Sequence, residues 1–149
     1  MSKLAILCAA LFISAPGVYG HCEIPCGIYG DDLRFAALDE DIRTVEKSMR
    51  QIAELSADPG ANANQIARWV MNKEVHADRI RETVAQYFLA QRIKLPDEGD
   101  AAAVEAYRDQ LARLHKLIVH AMKSKQTTDL AHPAALQETL KAFREAYEG

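Results

Sequence analysis

The sequence predicts an all-α fold, an antiparallel four-helix bundle preceded by a short segment rich in metal-binding side chains. Two observations favour helices: glycine is sparse, with 7 residues in 149, and no long alternating run of β-branched residues predicts a strand. A third is that four amphipathic segments follow one another, with connections of the size that joins antiparallel neighbours. The length fits one domain with a core of its own.

Residues 1–20 have the three parts of a cleavable secretory signal. Lys3 supplies the positive charge, residues 4–13 form a short apolar run, and residues 14–20 are small and rich in helix breakers. The apolar run is too short to anchor the chain across a bilayer. Val18 and Gly20 occupy the small-residue positions that precede a cut. We expect cleavage between Gly20 and His21, which makes residues 21–149 a secreted or periplasmic domain with no membrane segment.

We call residues 21–29 the hook; their sequence is His-Cys-Glu-Ile-Pro-Cys-Gly-Ile-Tyr. Cleavage removes Cys8, so both cysteines of the mature chain, Cys22 and Cys26, lie here. Pro25 lacks an amide donor and Gly27 is conformationally permissive, which favours a compact turn over a helix. Both thiols then converge, beside a histidine that carries the free terminal amine.

The first two predicted helices follow the hook. Asp31 or Asp32 can cap the first, whose apolar seam is Leu38, Ile42, Val45, Met49 and Ile52. A breaker, residues 58–60, ends it, and Asn62 or Asn64 can cap the second. The second helix should end near residues 95–96, and Lys73 interrupts its apolar seam. Its members are Ile66, Val70, Ala77, Ile80, Val84 and Tyr87, with Trp69 and Phe88 alongside.

The last two predicted helices have equally clear starts. The acidic residues 97–100 suit the positive end of the third helix, and Pro133 fits the first turn of the fourth. Residues 124–132 form a polar connection between them. The third seam is Val104, Tyr107, Leu111, Leu114, Ile118 and Ala121 or Met122, and the fourth is Leu136, Leu140, Phe143 and Tyr147.

The donor atoms of the hook favour a metal that gains from planar coordination. The His21 amine, the Cys22 amide and the Cys22 thiolate form fused chelate rings, and the Cys26 thiolate can complete a plane. Nickel(II) and copper(II) suit such a set better than zinc does, and copper(II) tends to oxidise thiolates. Three alternatives stay open on local chemistry: a Cys22–Cys26 disulfide, a structural zinc or copper site, and cysteines with no joint function.

The motif His-Cys-x-x-Pro-Cys-Gly-x-Tyr at a processed terminus, followed by four helices, resembles the nickel hook of nickel superoxide dismutases. Residues 69–74 and 86–88 add to the resemblance. It implies disproportionation of superoxide to dioxygen and hydrogen peroxide, with one nickel ion per subunit and assembly as a homohexamer. It also implies the ligands: the amine and axial imidazole of His21, the amide nitrogen and thiolate of Cys22, and the thiolate of Cys26.

The resemblance implies further site residues. Tyr29 matches a tyrosine beside the substrate approach and Tyr87 a second one, although the seam position of Tyr87 also suits a core aromatic. In some relatives a first-helix glutamate and a second-helix arginine hold the axial imidazole; Glu40 and His76 are the candidates here. For His76 a structural role is the competing interpretation, and it applies more strongly to His115, His120 and His132.

The charge of the chain narrows the partners. The formal net charge is −3, and removal of Lys3 makes it about −4, so nothing predicts a nucleic-acid partner. An acidic surface repels superoxide, and we expect local positive charge from Arg34, Arg92 or Lys94 to attract it. The alternative function is a secreted helical module that binds nickel or copper without turnover. A third hypothesis, ranked below it, is a structural bundle that is cross-linked by a disulfide.

Overall fold

A computed structural model describes residues 30–149, so the signal segment and the hook lie outside the described residues. Within this range the chain is helical and contains no strand. The second helix continues without a break into a π-helical segment, Thr83–Arg92, which we call the π segment. The four α-helices are α1 (Asp31–Leu55), α2 (Pro59–Glu82), α3 (Ala101–Gln126) and α4 (Ala131–Glu148).

Pairs of contacting side chains show that neighbouring helices run antiparallel. Along α1 and α2, Ser48 meets Asn72 while Asp41, nearer the start of α1, meets His76. The other neighbours behave in the same way: α1 meets α4 through Asp39–Gln137 and Asp32–Arg144, and α3 meets α4 through Gln110–Ala146 and His120–His132. The predicted antiparallel four-helix bundle is therefore confirmed.

The core lies where the predicted seams meet. The whole predicted seam of α1 is buried, and so are Leu136, Leu140 and Phe143 of α4. In α3 the buried positions include Ala121 rather than Met122. At one end of the bundle the core is aromatic: Phe88 contacts Phe35, Tyr87, Phe143 and Tyr147, with ring centroids 4.9 to 5.8 Å apart.

Two predicted helix starts were wrong. Gly30, in an extended conformation, precedes α1, and Asp31 is its first residue, so neither Asp31 nor Asp32 is the cap. Asp58 caps α2 by accepting a hydrogen bond from the Ala61 amide. Pro59 fits the first helical position, since it has no amide hydrogen that would need a partner there. The predicted acidic start of α3 is confirmed, since Asp100 accepts from the amides of Ala102 and Ala103.

The seam of α2 also differs from the prediction. Val70 is exposed, whereas Lys73, which interrupts the apolar pattern, is only 5% exposed. The Lys73 ammonium donates hydrogen bonds to the backbone carbonyls of Lys125 and Thr127, at 2.5 and 3.3 Å. A buried lysine is stable here because it satisfies carbonyls that the end of α3 leaves without helical partners.

Candidate active site

Of the residues predicted to bind nickel or to border the substrate approach, Tyr87 alone falls within the described part of the chain. His21, Cys22, Cys26 and Tyr29 lie outside it, and α1 begins two residues after Tyr29. Tyr87 lies on the π segment and is 7% exposed. Its hydroxyl donates a hydrogen bond to Asp31, with 2.5 Å between the hydroxyl oxygen and Oδ1. The structure therefore places Tyr87 beside the point where the hook joins the bundle.

Asp31 collects donors from two other elements. The Arg92 guanidinium, from the π segment, donates to Oδ2 at 2.5 Å, and the Tyr147 hydroxyl, from α4, donates to the same oxygen at 2.8 Å. Arg92 also donates to the Tyr147 hydroxyl at 3.2 Å. We call Asp31, Tyr87, Arg92 and Tyr147 the Asp31 cluster. Sequence reasoning missed it, because the other members lie 56 to 116 residues from Asp31 along the chain and no periodic pattern links them to it.

The cluster fixes the protonation of its members. Burial on its own would raise the pKa of Asp31, but hydrogen bonds from Arg92, Tyr87 and Tyr147 outweigh it and hold that pKa below its usual value. Burial, together with the Asp31 carboxylate, raises the pKa of Tyr87 to about 12. The hydrogen bond to Asp31 raises the pKa of Arg92. The cluster is thus a carboxylate and a guanidinium held with two neutral phenols.

Two grooves lie side by side along the α1/α2 face, and both include Arg34, Arg79 and Thr83. The first, of about 290 Å³, also contains Tyr87; the second, of about 310 Å³, also contains Asp41 and His76. The Arg34 guanidinium carbon is 5.7 Å from the centre of the Tyr87 ring. The groove next to Tyr87 therefore contains the guanidinium groups of Arg34 and Arg79, together with the carboxylate of Glu82.

His76 has a carboxylate partner, but it is not Glu40. His76 Nδ1 lies 2.6 Å from Oδ1 of Asp41, a buried residue one position further along α1, while Glu40 is exposed at the edge of the same groove. Asp41 lies three residues after Leu38 and four before Val45, on the buried side of α1, whereas Glu40 is rotated away by about 100°. α1 and α2 are thus joined by an Asp41–His76 contact in which Glu40 takes no part.

The remaining histidines show no metal-site geometry. His115 is exposed, and His120 and His132 contact each other with 3.4 Å between their Nδ1 atoms. Burial, with His132 and nearby lysines, lowers the pKa of His120. Across residues 30–149 no group of three or more His, Cys, Asp or Glu side chains could hold a metal ion. Nor does any helix in that range combine the length and apolar character needed to cross a membrane.

Comparison with known proteins identifies the family. The family model described as nickel-containing superoxide dismutase matches residues 16–149, a span that includes the hook and the entire bundle. No curated protein and no solved structure matches the chain. The chain belongs to the nickel-containing superoxide dismutase family, and it is an oxidoreductase that disproportionates superoxide with nickel as its cofactor.

Proposed function

We propose that the hook supplies the nickel ligands of this superoxide dismutase: His21 through its terminal amine and imidazole, Cys22 through its amide nitrogen and thiolate, and Cys26 through its thiolate. The observation that carries the proposal is the position of the motif, which lies inside the matched span and immediately before α1. The donor set fits the ion, because two thiolates, an amide and an amine favour a planar nickel(II) site over tetrahedral zinc.

The reaction consumes two superoxide anions and two protons and yields one dioxygen and one hydrogen peroxide. A nickel ion held by His21, Cys22 and Cys26 would supply the redox chemistry through its +2 and +3 states. The thiolates of Cys22 and Cys26 donate electron density, and the Cys22 amide adds a second kind of anionic donor. Such donors stabilise the higher oxidation state, which keeps the potential in the range that both halves of the reaction need.

Tyr29 and Tyr87 are proposed to border the substrate approach. The position of Tyr87 at the hook end of the bundle supports this assignment, and its environment sharpens it. Because the hydroxyl hydrogen of Tyr87 points to Asp31 and its pKa is raised to about 12, Tyr87 acts as a neutral wall and hydrogen-bond acceptor. It does not act as an acid towards superoxide at neutral pH.

Arg34 is the best supported of the three residues expected to attract superoxide. Its guanidinium lies over Tyr87 and lines both grooves. The charge of Arg92 is balanced by Asp31, at 2.5 Å, and Lys94 is exposed in the connection that follows the π segment. A positive charge that lines a groove raises the local concentration of an anionic substrate there.

The active protein is proposed to be a secreted or periplasmic chain, residues 21–149, that assembles as a homohexamer. The three-part pattern of residues 1–20 supports removal of a signal, which creates the His21 amine. Large apolar side chains exposed on α2, Met71 and Val75 among them, support an assembly that covers this helix. The His76–Asp41 pair is proposed to lie close to the His21 imidazole and to help orient it.

One experiment tests the nickel site. The chain is produced with His21 as its first residue, loaded with nickel, and assayed for superoxide decay together with the EPR signal of nickel(III). We expect rapid decay and a signal split by an axial nitrogen, both lost in Cys22→Ser. A variant with one extra residue before His21 should keep its helicity and lose activity, because its first amine is displaced. Nickel binding without turnover would instead establish the alternative, a metal-binding module.

A further inference from the structure

We propose that Asp31 is a positioning residue for the nickel centre: its carboxylate anchors the exit of the hook to the π segment and α4, and it orients the Tyr87 hydroxyl. This inference rests on the proposed function of the hook. We assign Asp31 no contact of its own with nickel or superoxide. It acts through Tyr87 and through the short stretch of backbone that joins it to the ligands.

The carboxylate is used for tertiary contacts rather than for its own helix. An aspartate at the start of a helix commonly accepts a hydrogen bond from an amide of the first turn. Asp31 makes no such bond, and Gly30 precedes α1 without a side-chain cap. Its oxygens accept instead from Tyr87, Arg92 and Tyr147, which occupy three of the roughly four lone-pair positions of a carboxylate.

These three donors join three elements at a single point. Tyr87 and Arg92 belong to the π segment and Tyr147 to the last turn of α4, so the first residue of α1 is held from two directions. Hydrogen bonds to a charged group in a partly buried position are stronger than neutral ones and define direction. The cluster also rests on the aromatic end of the core, where Phe88 contacts both tyrosines. Such an anchor is rigid.

The position of the anchor in the chain gives it influence over the metal site. Asp31 is two residues from Tyr29 and five from Cys26. Five residues of fully extended chain span at most about 18 Å, so fixing Asp31 limits the volume that Cys26 can reach. The same anchor fixes Tyr87 as the wall of that volume. A displacement of about 1 Å at a reacting centre can reduce a rate a hundredfold, so this restraint has functional weight.

The test compares Asp31→Asn with Asp32→Asn, both in the nickel-loaded protein that begins at His21. Asp32 is the matched control: it occupies the same first turn of α1 and pairs with Arg144 at 2.7 Å, but it lies outside the cluster. Superoxide decay is measured from pH 7 to pH 11, with nickel content and circular dichroism as checks. For Asp31→Asn we expect a rate about tenfold to a hundredfold lower, and little change for Asp32→Asn.

A second readout separates positioning from simple loss of structure. Without the Asp31 carboxylate, the pKa of Tyr87 should fall from about 12 towards its ordinary value of 10. A phenolate repels superoxide, so the alkaline decline of the rate should begin at lower pH in Asp31→Asn than in the control. Absorbance near 295 nm follows the ionisation of tyrosine in the same samples. A shifted limb at unchanged helicity supports positioning, whereas loss of structure shows as reduced helicity in the circular dichroism spectrum.

Tyr147→Phe provides the second variant if Asp31→Asn does not fold. It removes one donor and leaves the carboxylate and Tyr87 in place, so the rate should fall by about twofold to tenfold at full nickel content. Equal rates and equal alkaline limbs in Asp31→Asn, Asp32→Asn and the parent protein would overturn the inference while leaving the proposed function intact. An inactive nickel-loaded parent would remove the proposed function, and the positioning role would fall with it.

Discussion

Lys73 shows how one residue can contradict an apolar pattern and still stabilise the fold. Its stem lies in the core, and its ammonium binds the carbonyls of Lys125 and Thr127 at the carboxyl end of α3. A cation in this place meets the negative end of the helix dipole as well as two carbonyl oxygens. Lys73 therefore ties α2 to the α3–α4 connection.

We expect Lys73→Met to be destabilising despite its apolar side chain. Methionine fills a similar volume but leaves buried carbonyls without a donor, which costs about 1–3 kcal/mol. Urea denaturation measures the change in the free energy of unfolding. Arg68→Met is the control, because Arg68 is an exposed cation on the same helix. A Lys73→Met protein as stable as this control would show that the carbonyls are satisfied in another way.

Tyr87 predicts a stability that depends on alkaline pH. Its pKa in the folded protein is about 12, above the value of 10 in an unfolded chain, because burial and Asp31 both disfavour the phenolate. The folded state therefore binds this proton more tightly, so the contribution to stability is complete below pH 10 and is lost as the pH rises from 10 to 12. Denaturant midpoints of the parent protein should fall across this window.

Tyr87→Phe isolates that contribution. The variant keeps the ring and loses the titrating group, so its midpoint should fall less between pH 10 and pH 12 than that of the parent. Tyr107→Phe, on α3, is the control for removal of a hydroxyl. Parallel curves for the parent protein and Tyr87→Phe would mean that burial and Asp31 do not perturb Tyr87.

At the scale of elements, the π segment defines one end of the bundle. The Ile93 amide bonds the Phe88 carbonyl five residues earlier, at 2.9 Å, which is the π pattern. The segment brings Tyr87 and Phe88 into the core with their rings nearly perpendicular, at 89°. Segments of this kind occur often at functional sites, and this one carries two members of the Asp31 cluster.

Phe88 is the element-scale test of this arrangement. It is fully buried and contacts aromatic rings from α1 and α4. Phe88→Ala should lower the free energy of unfolding by about 3–5 kcal/mol, the usual cost of an aromatic cavity in a core. Leu95→Ala, at an exposed position three residues after the π segment, should change it little. A small effect of Phe88→Ala would mean that this end of the bundle is loosely packed.

How far the sequence predicts these elements depends on the range of the interactions. The seams of α1 and α4 follow from spacing alone, and they were correct because a buried helix face repeats locally. The cap of α2 was misassigned because both Asp58 and the asparagines that follow Pro59 are good caps. The π segment and the Asp31 cluster depend on tertiary contacts, which leave no periodic signal in the chain.

At the scale of the whole molecule, the function was predictable because it is encoded in consecutive residues. The residue types of 21–29 and the signal-like pattern before them predict a donor set without any knowledge of the fold. The bundle contributes what the motif lacks: Asp31 bound to Tyr87, Arg92 and Tyr147, and Arg34 beside the Tyr87 ring. These depend on the packing of α1, the π segment and α4.

Assembly is the prediction that belongs to the whole molecule. Met71 is 67% exposed and Val75 48% exposed, and they lie one turn apart on α2, so together they present an apolar surface that a homohexamer could cover. We expect the mature protein to sediment at six times the mass of its chain. Met71→Glu combined with Val75→Glu should dissociate it, because charges buried at an interface without partners are costly. Leu95→Glu, at an exposed site in the connection after the π segment, should leave the assembly intact. If the double variant sediments like the parent protein, α2 does not form the interface; a mature parent protein that sediments as a monomer would contradict the hexamer itself.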